Sequence, residues 1–114
     1  MLFRSDQRYY EAGVARVARP PERAPGAAPA WHLYVVAHRK PDLVARALAQ
    51  ANIGCKPYYR TPVHRQPPMR QWATRVELPA TEQAAREHLA IPMSPFLTAT
   101  QAQEVVAAIR SARV

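Results

Sequence analysis

The run Trp31-His-Leu-Tyr-Val-Val-Ala-His-Arg-Lys-Pro-Asp-Leu-Val-Ala-Arg-Ala-Leu-Ala-Gln-Ala-Asn52 decides the fold. Its first part, Trp31–Val36, is rich in aromatic and β-branched residues and reads as a strand. Pro41 then fits the first turn of a helix, because it lacks a donor that the first turn would leave unpaired. Leu43, Val44, Ala47, Leu48 and Ala51 recur at helical spacing, so the helix is expected over Pro41–Asn52, stopped by Asn52 and Gly54. A strand feeding a helix cannot bury both apolar surfaces by itself, so the rest of the chain must cover them.

Working outward, Thr81 can cap a second helix running to about Leu89, with Ala84, Ala85, His88 and Leu89 on one face. Leu89-Ala-Ile-Pro-Met93 is then a short apolar extended run. Thr98-x-x-Gln101 is a capping box, and Ala102, Val105, Val106 and Ile109 give the last helix its apolar stripe. Upstream, residues 4–13 read as the end of a helix stopped by Gly13, and Val14–Ala18 as a weak strand. Pro20, Pro21, Pro25, Gly26 and Pro29 mark a surface loop, and Ile53–Gln66 reads as extended pieces and loop. This order predicts an α+β fold with helices packed on a small, mostly antiparallel sheet.

The chain has 114 residues, the length of one domain, and carries 16 Lys+Arg against 8 Asp+Glu for a net charge of +8. An apolar fraction of 48% is too high for a disordered basic tail. The single cysteine, Cys55, excludes an internal disulfide framework and a cysteine-based zinc cage. No apolar run approaches a membrane span and no signal peptide is visible, so a soluble, reducing, cytoplasmic setting is expected. The segment Leu43–Val76 contains no acid but holds Arg46, Lys56, Arg60, Arg65, Arg70 and Arg75. Such a stretch suits an anionic ligand, either a nucleic acid or a small phosphate ester.

The four histidines lack the spacing or neighbouring carboxylates of a metal site, and three scattered glycines cannot build a phosphate loop. Cys55 lies among basic residues, which could lower its pKa, but a half-buried packing thiol is the simpler reading. The densest polar-aromatic stretch is Ile53–Pro67. Tyr58 and Tyr59 offer planar faces and hydroxyls, and His64 and Gln66 share a side if the piece is extended. The alternative is a solvated irregular loop with aromatic anchors, in which His64 only fixes the proline-rich turn.

From Trp31 onward the chain resembles the C-terminal part of the DegT/StrS aminotransferases, which use pyridoxal phosphate to make amino sugars on nucleotide-linked keto sugars. Three blocks carry the resemblance in the same order: His32–Val36; Asn52-Ile-Gly54 with Tyr59, Pro62-Val-His64 and Gln66-Pro67; and Leu89-Ala-Ile-Pro-Met-Ser-Pro95 with Leu97-Thr98 and Gln101. The chain departs where relatives often read Gly-Ile-His-Tyr-Pro, having Lys56-Pro-Tyr-Tyr-Arg60, and it has Ser94 where they commonly have His. These departures bear on the substrate, not on the fold.

The resemblance implies the small domain of a fold-type-I enzyme. Residues 1–30 would lead from the large domain and residues 31–114 would form the small one. It also implies a homodimeric whole enzyme whose Schiff-base lysine belongs to the large N-terminal domain, since neither Lys40 nor Lys56 lies in a matching motif. Alone, the chain is then expected to lack transamination, whether as a truncated, split or degenerate product, and to expose a face normally buried. Tyr59, His64 and Gln66 match family positions and would line or shape the active-site entrance. Arg60 could pair with the diphosphate of a nucleotide sugar. The competing expectations are a free-standing basic module binding nucleic acid or another anion, and a regulatory partner docking on an intact aminotransferase.

Overall fold

Two short strands lie at the centre: β1 (Tyr34–Ala37) and β2 (His88–Ile91), antiparallel, with Tyr34 opposite Ile91 and Val36 opposite Leu89. The computed structural model describes residues 3–73 and 75–112. Among the described residues, four helices accompany the strands: α1 (Phe3–Val14), α2 (Pro41–Gln50), α3 (Pro79–Glu87) and α4 (Ala99–Ser111). Directly opposed residues share a face, so Tyr34, Val36, Leu89 and Ile91 form one apolar surface. That surface is buried with Tyr10 and Val14 of α1, Val44 and Leu48 of α2, and Ala102, Val105, Val106 and Ile109 of α4. The α+β reading of the sequence is therefore the architecture of the molecule. Single antiparallel bridges, Arg19 with Ala37 and Lys56 with Ala90, extend the pair by one rung on each side.

The helix ends show which local signals act. The α2 terminus is a Schellman motif: Asn52 takes a left-handed φ of 58°, and the amides of Asn52 and Ile53 donate to Ala49 and Leu48 carbonyls at 3.0 and 2.8 Å. At α4 the capping box is complete, with Thr98 Oγ1 accepting from the Gln101 amide and Gln101 Oε1 from the Thr98 amide. Helix α3 departs from its expected bounds. It starts at Pro79, not Thr81, because the proline is already set for a first turn, and it ends at Glu87. His88 and Leu89, expected on a helical face, begin β2 instead, since only a strand alternation places both Leu89 and Ile91 on the face shared with β1.

The N-terminal expectations also change. Val14–Ala18 is no strand: α1 runs through Val14 and ends in a turn, with Val17 and Ala18 amides donating to the Val14 carbonyl. Helical spacing of Tyr10 and Val14 buries both against the core, which outweighs the weak alternation that follows. Gly13 is then an internal helical residue. A Cβ there would stand 2.9 and 3.0 Å from the two methyls of Val106, so glycine is needed for the close approach of α1 to α4. Tyr10, Tyr34 and Trp31 form a row of tilted rings with centroids 5.1 Å apart. Tyr10 also donates its hydroxyl to the Pro92 carbonyl at 2.6 Å.

Gly13→Ala gains helix propensity but forces a methyl into a β-branched neighbour that cannot swing away. A net loss of about 1–3 kcal/mol in urea unfolding is expected, partly restored by adding Val106→Ala. The Tyr34 hydroxyl is buried and has no hydrogen-bond partner among the described residues, and burial, with Glu11 adding to it, pushes its pKa up to about 12. Tyr34→Phe should therefore leave stability unchanged or raise it, whereas Tyr10→Phe should cost about 1 kcal/mol in the same measurement.

Candidate functional site

The segment after α2 runs along the free edge of β2. Lys56 and Ala90 exchange both amide bonds, at 3.0 and 2.9 Å. Beyond Pro57 the chain leaves the edge. Tyr58 is partly exposed beneath the Lys56 ammonium, which lies 5.4 Å from its ring centre, and Tyr59 is 76% exposed. Beside this turn is a shallow cleft of about 280 Å³ lined in part by Leu33, Cys55, Lys56, Tyr58 and Met93. The Cys55 thiol is half-buried, and burial pushes its pKa above the usual thiol range. The basic neighbours therefore do not make it a ready thiolate, and it fits a packing thiol.

Arg60 is half-buried and engaged within the chain. Its Nη1 donates to the carbonyls of Ala85 at 3.1 Å and His88 at 2.6 Å. Its Nη2 is buried, with the Asp42 carboxylate 3.9 Å away. The guanidinium thus holds the C-terminal end of α3, where helix carbonyls lack partners and favour a cation. Arg60 therefore lies against the protein's own carbonyls.

Pro62 and Pro67 break the next piece into two 3₁₀ turns, Val63–Arg65 and Pro67–Met69. The extended geometry that would put His64 and Gln66 on one side is not formed. His64 Nε2 lies 2.7 Å from Glu82 Oε1 of α3, and Arg65 Nε donates to the same oxygen. Gln66 folds back, its Nε2 donating to the Thr61 carbonyl at 2.8 Å. The structure therefore places Tyr59 and Arg60 on the β2 side and His64 and Gln66 in a second, α3-facing turn.

Two residues that join these turns to the domain were not assigned to the site from the sequence. Glu82 draws two basic residues from the acid-free stretch onto α3. His88 sits under the tyrosines: its Nε2 is 3.1 and 3.3 Å from the amide nitrogens of Tyr58 and Tyr59, and its Nδ1 is 2.8 Å from the Ala84 carbonyl. Periodicity alone assigns His88 to a helix face, and the Ala84–His88 spacing of four is the only local hint of this contact. Among the described residues, no group of three or more His, Cys, Asp or Glu could hold a metal, and no helix is long and apolar enough to cross a membrane.

Known proteins resemble this chain over most of its length. The model of the DegT/DnrJ/EryC1/StrS aminotransferase family matches residues 4–110. The erythromycin biosynthesis sensory transduction protein EryC1 of Saccharopolyspora erythraea is 33% identical over 92 residues, which are 80% of this chain and 25% of that protein. The dTDP-3-amino-3,4,6-trideoxy-alpha-D-glucose transaminase of Streptomyces venezuelae is 34% identical over 91 residues, 79% of this chain and 24% of that enzyme. The crystal structure of S. venezuelae DesV in complex with a ketimine intermediate superposes with a TM-score of 0.85 at 33% identity. That match covers 98% of this chain and 32% of that one. The chain thus spans about a quarter of the length of the curated relatives it matches.

Glu82 offers a direct check on the second turn. The hydrogen bond from Arg65, helped by His64 and opposed by burial, holds its carboxyl below the usual value of 4.5. The folded state then binds this proton less readily than the unfolded chain. The stabilisation is fully present above that usual value and is lost as pH falls through the depressed folded value. Urea midpoints measured from about pH 7 down to 3 should fall less steeply on the acid side for Glu82→Gln than for the parent chain.

Proposed function

The chain belongs to the DegT/DnrJ/EryC1/StrS aminotransferase family, and from that premise we propose that it is the C-terminal small domain of an enzyme that aminates nucleotide-linked keto sugars in amino-sugar biosynthesis. The observation that carries this reading is the superposition on DesV, which takes in nearly all of this chain and only a third of that one. The remainder, in this proposal, is a large domain bearing the Schiff-base lysine, the whole enzyme being a cytoplasmic homodimer. In this proposal the whole enzyme uses pyridoxal phosphate, as membership of the aminotransferase family implies. The residues described here do not fit a site for that cofactor: the Lys56 ammonium lies over the Tyr58 ring and Lys40 is exposed on the surface before α2. No step is therefore assigned to this chain through the cofactor.

The exposed apolar groups support a partner domain. Val63 and Trp72 are each 71% exposed and Phe96 is 85% exposed, apolar surface that the large domain would cover in this proposal. At the entrance, Tyr59, Arg60, His64 and Gln66 are the residues proposed to line or shape the substrate site. Tyr59 would meet the substrate with its exposed phenol. Arg60 as placed would act by holding the turn, since reaching a sugar diphosphate requires it to give up the Ala85 and His88 carbonyls. His64 and Gln66 would fix the shape of the neighbouring turn.

The chain alone, supplied with pyridoxal phosphate, an amino donor and a dTDP-linked keto sugar, should show no amino transfer by product chromatography. Joined to the large domain of a family relative, it should support turnover. In that joined enzyme Tyr59→Ala should raise KM for the nucleotide sugar by about tenfold, the size of one lost stacking or hydrogen-bonding contact. Transamination by the chain alone, or an unchanged KM, would count against the reading.

A further inference from the structure

The tyrosine turn stands where a sheet rung is missing. Lys56 and Ala90 form one rung of an antiparallel ladder, so the next would pair Tyr58 with His88 through their own amides and carbonyls. That rung is not made: the His88 amide donates to the Ala84 carbonyl as the last bond of α3, and side chains take up the Tyr58 amide and the His88 carbonyl. The Tyr58 amide donates to the imidazole of His88, and the His88 carbonyl accepts from Arg60 instead. The Tyr59 amide, which a regular strand would turn away from β2, also reaches the same ring nitrogen.

The partners fix the tautomer. Amide N–H groups can only donate, so Nε2 must present its lone pair to Tyr58 and Tyr59. A carbonyl can only accept, so Nδ1, 2.8 Å from Ala84 O, must carry the hydrogen. Arg60 Nη1, 3.3 Å from Nδ1, then meets a donor there and is directed to the Ala85 and His88 carbonyls. One neutral ring thus joins the end of α3 to two consecutive amides of the turn, and no other described group accepts from those amides.

We propose that His88, as its Nδ1–H tautomer, is the positioning residue that peels the Tyr58–Tyr59 turn off the β2 edge and so sets where Tyr59 meets a nucleotide-linked keto sugar. The substrate half of this proposal rests on the reading of Tyr59 given above. The geometric half does not. Replacement of His88 by Gln keeps an acceptor near the position of Nε2, whereas Leu fills the space with none.

Nitrogen-15 NMR on the 114-residue chain reads both ring nitrogens and the amide exchange of Tyr58 and Tyr59, with the Ala90 amide as an internal measure of folding. The expected result is a bare Nε2, and in His88→Leu an exchange faster by about tenfold at both tyrosine amides with Ala90 unchanged. His88→Gln should retain the protection. A protonated Nε2, or protection undiminished in His88→Leu, overturns the proposal. If His88→Leu does not fold, a folded His88→Gln that loses protection overturns it equally. In the joined enzyme His88→Leu should raise KM with kcat little changed, and His88→Gln should restore it. Lost amide protection with KM unmoved would leave the positioning role standing and overturn the role of Tyr59.

Discussion

Two four-residue strands form too small a sheet to persist in water, and burial of the single face they share is the constraint on which the other elements depend. Tyr34, Val36, Leu89 and Ile91 supply that face. Because it is narrow, the cover must come close. Gly13 lets α1 approach α4, and the Tyr10 hydroxyl ties α1 to the carbonyl just beyond β2. The same requirement decides where α3 stops. Continuing the helix through His88 and Leu89 would take Leu89 out of the buried face, so the chain changes to extended geometry at a residue that has no breaker character of its own.

The other edge of β2 is left largely unpaired among the described residues. Lys56 pairs with it, after which Pro57 and the contacts of His88 and Arg60 lead the chain outward. The basic excess also changes meaning. Arg65 meets Glu82 and Arg60 meets α3 carbonyls with Asp42 nearby, so an acid-free run in sequence is partly neutralised by acids from other elements in space. Charge counted along a chain therefore overstates the field at this part of the surface.

The family and its fold class were legible because they rest on order. The strand–helix unit from Trp31, the proline-marked turns and the capping box at Thr98 are local signals, each satisfied by residues within a few positions. Legibility failed where distant partners compete. Val14–Ala18 alternates weakly, but burial of Tyr10 and Val14 extends the helix through its beginning. His64 and Gln66 would share a side in an extended piece, yet two prolines bend it, giving one to Glu82 and the other to a backbone carbonyl. Tyr59, Arg60, His64 and Gln66 were thus named by position, while their placement waited on contacts with β2, α3 and the turn itself.

The sequence by itself determined which segments form helices and strands wherever the deciding contact is local: the left-handed Asn52, the Thr98–Gln101 box and the apolar stripe of α4. Only the tertiary structure decided that Gly13 is a contact and not a stop, that His88 is strand and not helix, and that Arg60 holds carbonyls within the chain. The reason is physical. Each of these outcomes sets a local preference of at most about 1 kcal/mol against the burial or pairing of groups brought together from distant segments, and the distant contacts outweigh it.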